Sequence, residues 1–401
     1  MNTTERELIV CLPCYRTYEG RYETFSLAAQ YGYRVRLVLL HGPHPPATAY
    51  PLVEQVTLPD HLNLWSRRKF WQQWFASLPW DRPTILQDTF LAQMGFYWPP
   101  PRLLRHRQLP EIRKVLYLVS PTPGFLFQGH WRQPRSIPMR WQEILYEWRL
   151  QFPLVVMEWL SCRFVDGVIG NTQQIALEAS RYYGVPAANS CAIPDEVDPF
   201  FTPGQRQRQV LGLRDDEVIL LYVGNPLRRK GIDILIKALD LLRAEIPAAR
   251  LVMVGFADPG ESAWYSQLIT DRDLRSRITF VGRVDRETLR EYYRAADVML
   301  YPTRHEGSPR VVKEALGAGC PVVCSDVPGI RIIDPEGQGV IYCAENQPEA
   351  YVQPVLRLLR DTEYRQKRIA AGVEVAKSLM PDRIITQLLS FYDDLFSKQL
   401  A

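Results

Sequence analysis

The 401-residue sequence has no run approaching the ~18 consecutive apolar residues that a membrane-spanning helix needs. The nearest, PLVVMEWLSC (153–162), is short and contains Glu158. The amino terminus, MNTTERELIV, carries acids where a signal peptide would have a basic flank and an apolar run, so the chain reads as cytoplasmic, with its seven cysteines reduced. No charge of one sign dominates: 48 basic against 44 acidic residues give a net +4, too mild to imply nucleic acid. With 46% hydrophobic and 23% charged residues, disordered, collagen-like and coiled-coil classes are excluded. Metal-ligand spacing is also lacking. Cys11 and Cys14 close a predicted first strand with no other redox feature nearby. Cys320 and Cys324 fall in a predicted buried strand, so a zinc site from both pairs is not expected. Proline and tryptophan, by contrast, are plentiful, at 32 and 10 residues.

The length predicts two domains. In the second half, EVILLYVG (217–224), ARLVMVG (249–255), SRITFVG (276–282), ADVMLYP (296–302) and CPVVCSD (320–326) have the length and Val/Ile/Leu content of strands buried on both faces. Helical patterns at 232–245, 285–296 and 308–319 lie between them, which gives an α/β, doubly wound parallel sheet. The first half repeats the rhythm with candidate strands at 7–14, 33–40, 83–88, 113–120 and 165–171. The segment 193–208, rich in Pro, Gly and charge, reads as a linker. The predicted domains are therefore 1–200 and 201–380, with an amphipathic final helix in 381–401. Open parallel sheets bind ligands beyond the carboxyl ends of their strands, so the chemistry is expected in a central cleft between two such domains.

Two stretches place chemistry there. In RHEGSPRVVKEALGAGCPVV (304–323) a strand ends, Glu306 and Gly307 occupy a loop, and a helix opens near Ser308 or Pro309. Ser as cap and Pro in the first turn favour that start, and the free N–H groups of a helix N-terminus make an anion site. Glu306 lies just outside and Glu314 inside. Acids near a helix start are common, so this spacing is also compatible with ordinary helix electrostatics. In YVGNPLRRKGIDILIKAL (222–239), Arg228, Arg229 and Lys230 follow a strand ending in Gly224. Such cations suit a diphosphate, or form a solvated turn.

From VGNPLRRKG through FVGRVDRETLREYYRAADVMLYPTRHEGSPRVVKEALGAGCPVVCSDVPGI, the second half resembles the nucleotide-sugar-binding domain of glycosyltransferase family 4, retaining enzymes of the GT-B fold, with Glu306 to Glu314 reproducing the family's paired-Glu spacing. The resemblance implies two Rossmann-like domains facing a central cleft, with the last helix crossing back to the first domain. It implies that Glu306, beside the Gly307 and Ser308 backbone, contacts donor-sugar hydroxyls, with Arg310 and Val311 at the helix start. Glu314 would meet the ribose, Arg229 and Lys230 the diphosphate next to Gly224 and Asn225, and Val281, Gly282 and Arg283 the base. The implied reaction moves a sugar from a nucleoside-diphosphate sugar to a hydroxyl acceptor with retention, without cofactor or metal. Departures from the family pattern are Asn225 in place of an arginine, Pro309 in place of a residue with an N–H, and Pro328-Gly329 in place of two glycines. On the acceptor side, the loop containing Tyr18, Glu19, Gly20 and Arg21 has one glycine, and Ser120 stands where a histidine is expected. His130 is the candidate catalytic histidine, with Asp88 and His305 as similarly placed alternatives for that role.

Eight of the ten tryptophans fall in 61–150, together with 13 basic and five acidic residues. The stretch 63–80 sets Trp71, Trp74, Phe75 and Leu78 on one helical face beside Arg67, Arg68 and Lys69. It reads either as a helix packed in the core or as one lying at an anionic membrane surface on the inner face, with a bulky or lipid-linked acceptor. Two other functions stand open: a non-hydrolysing nucleotide-sugar epimerase, and a catalytically degenerate nucleotide-sugar-binding partner subunit.

Overall fold

The computed structural model describes residues 6–14, 19–41, 45–57, 73–74, 76–88, 111–118, 162, 165–256, 264–269, 271–344 and 346–398. The chain divides into two compact units: unit 1, Met1–Glu196 with Pro381–Ala401, and unit 2, Val197–Met380.

Among the described residues, unit 1 holds seven parallel strands: β1 (Glu7–Cys14), β2 (Arg34–His41), β3 (Val53–Thr57), β4 (Thr84–Asp88), β5 (Ile112–Leu118), β6 (Gly167–Gly170) and β7 (Ser190–Ala192), in the order β3-β2-β1-β4-β5-β6-β7. Leu8, Val10 and Leu12 of β1 are fully buried, as an all-parallel sheet covered on both faces requires. Trp80 and Leu78 are buried with Ile9, Val38 and Leu86, and Trp74 packs against them, so these members of the aromatic stretch serve the core. Trp71, Phe75 and the other tryptophans of that band lie outside the described residues. The final helix, Pro381–Ser397, buries Ile384, Ile385, Leu388, Tyr392 and Leu395 in unit 1. A Cβ on Gly167 would come within 2.7 Å of Leu395 Cδ1, and Arg113 Nε donates to the Leu395 carbonyl at 3.0 Å.

Among the described residues, unit 2 holds six parallel strands: β8 (Val218–Val223), β9 (Ala249–Val254), β10 (Ile278–Gly282), β11 (Val298–Tyr301), β12 (Val322–Ser325) and β13 (Val340–Cys343), in the order β10-β9-β8-β11-β12-β13. The order reverses at β8, so β8 and β11 flank the switch point where such sheets leave a crevice. Helices Ile232–Glu245, Arg286–Ala295 and Arg310–Gly317 fall within the predicted patterns.

Three strands escape the sequence reading: β3, β7 and β13. Each is at a sheet edge, where one flank needs no partner and short or polar runs suffice. In β3, Glu54 is exposed and pairs with Arg36 of β2, which spoils the apolar run. The segment read as a linker is partly docked on unit 2. Arg208 is buried and donates to the carbonyls of Ala295 at 3.0 Å and Glu217 at 2.9 Å. The Cys320 and Cys324 thiols are buried in unit 2, and burial pushes Cys320 up to about 12, far from the range of a redox thiol.

Candidate active site

At the carboxyl edge of the unit 2 sheet, the residues after β8 and β11 are pressed together. Arg228–Lys230 forms a single 3₁₀ turn, and Gly231 ends it at φ 72°, opening the Ile232–Glu245 helix. A Cβ there would stand 1.8 Å from the Pro302 carbonyl oxygen, so backbone conformation and contact both demand glycine. The Arg304 N–H donates to the Arg229 carbonyl at 2.7 Å. The Arg304 side chain donates to the Arg228 carbonyl at 2.6 Å and grips Asp233 through two bonds of 2.8 and 2.6 Å. The cationic turn is thereby fixed by its own backbone, while the Arg228 and Arg229 side chains stay exposed. Arg228 lies over the Trp264 ring at 4.8 Å, and Trp264 Nε1 donates to the Pro226 carbonyl at 3.1 Å.

Glu306 meets this turn. Its Oε1 pairs with the Lys230 ammonium, accepts from Tyr301 OH at 2.7 Å and lies 3.2 Å from Thr303 Oγ1. Lys230 Nζ also donates to Tyr301 OH at 2.8 Å. Tyr301 stacks on Tyr222 with ring centroids 6.2 Å apart, and Tyr222 OH donates to the Asn225 carbonyl at 3.0 Å. Burial lowers the Lys230 pKa and exposed Arg229 adds to the shift, while Glu306 opposes it. The same burial and the Glu306 charge hold the Tyr301 phenol well above its ordinary range. The Glu306 and Gly307 backbone is backed by Gly329, where a Cβ would stand 2.0 Å from the Glu306 carbonyl oxygen.

Ser308 does not cap the following helix. Pro309 occupies the position ahead of Arg310–Gly317 and gives no side-chain cap, while Ser308 Oγ accepts from buried Lys313 at 3.2 Å. A lysine one turn into the helix outcompetes the backbone for that hydroxyl, which spacing alone does not reveal. Glu314 belongs to a separate group. It is buried, accepts from Tyr293 OH at 3.0 Å and lies 3.8 Å from Arg310 Nε. Burial raises its carboxyl pKa, opposed by Arg310 and the Tyr293 hydrogen bond. Val281 and Gly282 end the edge strand β10 and Arg283 follows it, exposed as Arg310 is. Val311 and Gly307 are half-buried. Arg304, Asp233, Trp264 and Tyr301 were not singled out from the sequence, because only folding joins Asp233 to Arg304 across 71 positions.

In unit 1, Glu19 and Gly20 open the Glu19–Leu27 helix. Arg21, with its side chain 5% exposed, pairs with Asp195, reaches Glu196 at 4.0 Å and lies over the Tyr117 ring at 3.7 Å. Tyr117 OH donates toward Asp195 Oδ1 at 2.9 Å and the Ile193 carbonyl at 3.0 Å. Arg21 is therefore engaged inside unit 1. Tyr18, Ser120 and His130 lie outside the described residues, as does the Asp88 side chain. Among the described residues no group of three or more His, Cys, Asp or Glu is arranged to hold a metal ion, and no helix is long and apolar enough to cross a membrane.

The two doubly wound units define the GT-B fold. Sucrose-phosphate synthase of Thermosynechococcus elongatus superposes with a TM-score of 0.71 at 22% identity, over 98% of this chain and 99% of that one. The Anabaena protein HepE, solved with UDP and glucose, does so at 0.67 and 17% identity over 96% and 99%. Residues 204–375, within unit 2, match the family described as Glycosyl transferases group 1. The D-inositol 3-phosphate glycosyltransferase of Thermobifida fusca is 29% identical over 239 residues, 57% of this chain and 55% of the relative, so the alignment spans about half the length of such curated proteins.

Proposed function

We propose that this chain is a nucleotide-sugar glycosyltransferase, retaining and of family 4, which moves a sugar from a nucleoside diphosphate to a hydroxyl acceptor without a metal. The observation that carries this reading is the Lys230–Tyr301–Glu306 group beside exposed Arg229, at the switch point of a sheet whose residues match a glycosyl transferase family. The chemistry follows from the parts. Leaving-group charge grows on the diphosphate as the glycosidic bond breaks, and fixed cations next to it stabilise that charge without reorganising. Arg229 offers a planar donor fork and Lys230 a compact charge. Glu306, already an acceptor for three donors, has the chemistry to take hydrogen bonds from sugar hydroxyls. Glu314, one and a half turns into its helix, would take the ribose. The acceptor, a bulky or lipid-linked hydroxyl, would be engaged through unit 1, at an anionic membrane surface, on the strength of the basic surplus in 61–150.

Thermal-shift screening with UDP-, GDP- and ADP-sugars identifies the donor, because a ligand that binds the folded state raises its melting temperature. With that donor, transfer by the wild type and loss of transfer in Glu306→Ala are expected, with the product's anomeric configuration matching the donor's by NMR. Unchanged transfer in Glu306→Ala would overturn the site, and an inverted product would overturn retention. Flotation with anionic liposomes at low salt tests the membrane surface: protein left at the bottom of the gradient rejects it.

A further inference from the structure

A second cationic site lies at the opposite, amino-terminal edge of the unit 2 sheet. Asp297, just ahead of β11, is buried, and its Oδ2 accepts from the Ile219 N–H at 2.8 Å. Three arginines surround this one carboxylate: Arg208 at 2.6 Å, Arg206 at 2.8 Å and Arg365 at 3.4 Å. The group thus has two positive charges more than Asp297 can balance. Arg208 spends its remaining donors on backbone carbonyls. Arg206 also donates to the Ala296 carbonyl at 3.1 Å, and it and Arg365 line a cavity of about 400 Å³, where Arg294 forms another wall. Arg294 is committed to the Thr202 carbonyl at 2.8 Å and to Glu291 at 2.9 Å, so it contributes shape and field more than free donors.

Among the described residues no carboxylate lines this cavity, whereas Thr362 and Gln366, from the start of the Thr362–Ser378 helix, add polar groups at its mouth. The Arg206 side chain is 42% exposed, which leaves its guanidinium room to turn toward a ligand. Burial and the like charge of Arg206 lower the Arg365 pKa from its ordinary value, opposed by the shared Asp297 carboxylate. Guanidinium pairs bind phosphate oxygens bidentately, and the volume falls within the range of small-molecule pockets.

We infer that this cavity binds a small phosphate-bearing molecule, separately from any ligand at the carboxyl edge of the same sheet. Isothermal titration of the full chain with inorganic phosphate at low ionic strength, where screening is weakest, tests it. Wild type and Arg229→Ala/Lys230→Ala are expected to bind with equal affinity, and Arg365→Gln to bind about tenfold more weakly, the scale of one lost charge-assisted contact. Because Arg365 also touches Asp297, circular dichroism confirms that the variant is folded. Gln366→Glu, at an exposed position outside the Asp297 group, is expected to weaken phosphate similarly by placing a like charge at the mouth. Absence of saturable binding at millimolar phosphate overturns the site, as does binding that Arg229→Ala/Lys230→Ala abolishes or that neither Arg365→Gln nor Gln366→Glu weakens.

Discussion

In unit 1, Arg21 lies over the Tyr117 ring with two acids beside it and its side chain 5% exposed. At the same edge of the unit 2 sheet, Lys230 shares one carboxylate with Tyr301 while Arg228 and Arg229 remain exposed. The first cluster has acids to spare and is sealed, so its charges are spent on holding the Glu19–Leu27 helix to the chain after β7. The second has cations to spare and is open, so its charges remain available to a ligand. The order shared by the first six strands of each sheet thus supports a lock in one unit and a binding site in the other, and the sign and exposure of the surplus charge distinguish them.

Removing the lysine tests that division most severely. Lys230→Ala should lower transfer by about 10²–10³-fold, the loss typical of one electrostatic contact to a leaving group, with a smaller loss of melting temperature than Asp195→Ala because exposed Arg229 stays near Glu306. A large thermal loss instead would make Lys230 a lock as well. The reverse pattern is expected for Asp195→Ala, which strips the buried Arg21 of its main partner. It should destabilise the protein by about 2 kcal/mol in denaturant titration, because buried Arg21 and Tyr117 lose their shared acceptor and Arg21 keeps Glu196 at 4.0 Å. Arg304→Lys keeps the charge but loses the two-bond grip on Asp233. Donor KM should rise about tenfold with kcat little changed, since the lost geometry serves binding of the cationic turn. The smallest effect is in pH dependence. The Glu314 carboxyl is raised above its ordinary 4.5 by burial, so the folded state holds its proton longer than the unfolded chain does. Stability should therefore fall as pH rises from the ordinary value through the raised one. Glu314→Gln should flatten melting temperature against pH in that window, and an unaltered slope would locate the titration elsewhere.

Much of this was legible in the sequence for a physical reason. Central strands such as VILLYV must be apolar on both faces, and the Arg310–Gly317 helix follows its strand in register with Glu306 and Glu314. The edge strands β3, β7 and β13 were not, because one free flank relaxes that demand. The Glu306 and Lys230 positions emerged from local motifs, but their mutual pairing did not, nor did the Arg304–Asp233 clamp. Those contacts join residues 76 and 71 positions apart, and no local spacing encodes them. Ser308 shows the complementary failure: a favourable cap residue is diverted by Lys313 five positions on.

The boundaries of unit 2 have a consequence for engineering. The chain passes into it after Glu196 and leaves it at Met380, and the Val197 N–H donates to the Leu379 carbonyl at 2.8 Å, so its two ends are tied side by side. Unit 2 is thus a cassette inserted in unit 1, whose own two segments are held together by the Pro381–Ser397 helix. Two cuts at neighbouring points are enough to exchange it for another such cassette, with unit 1 left whole.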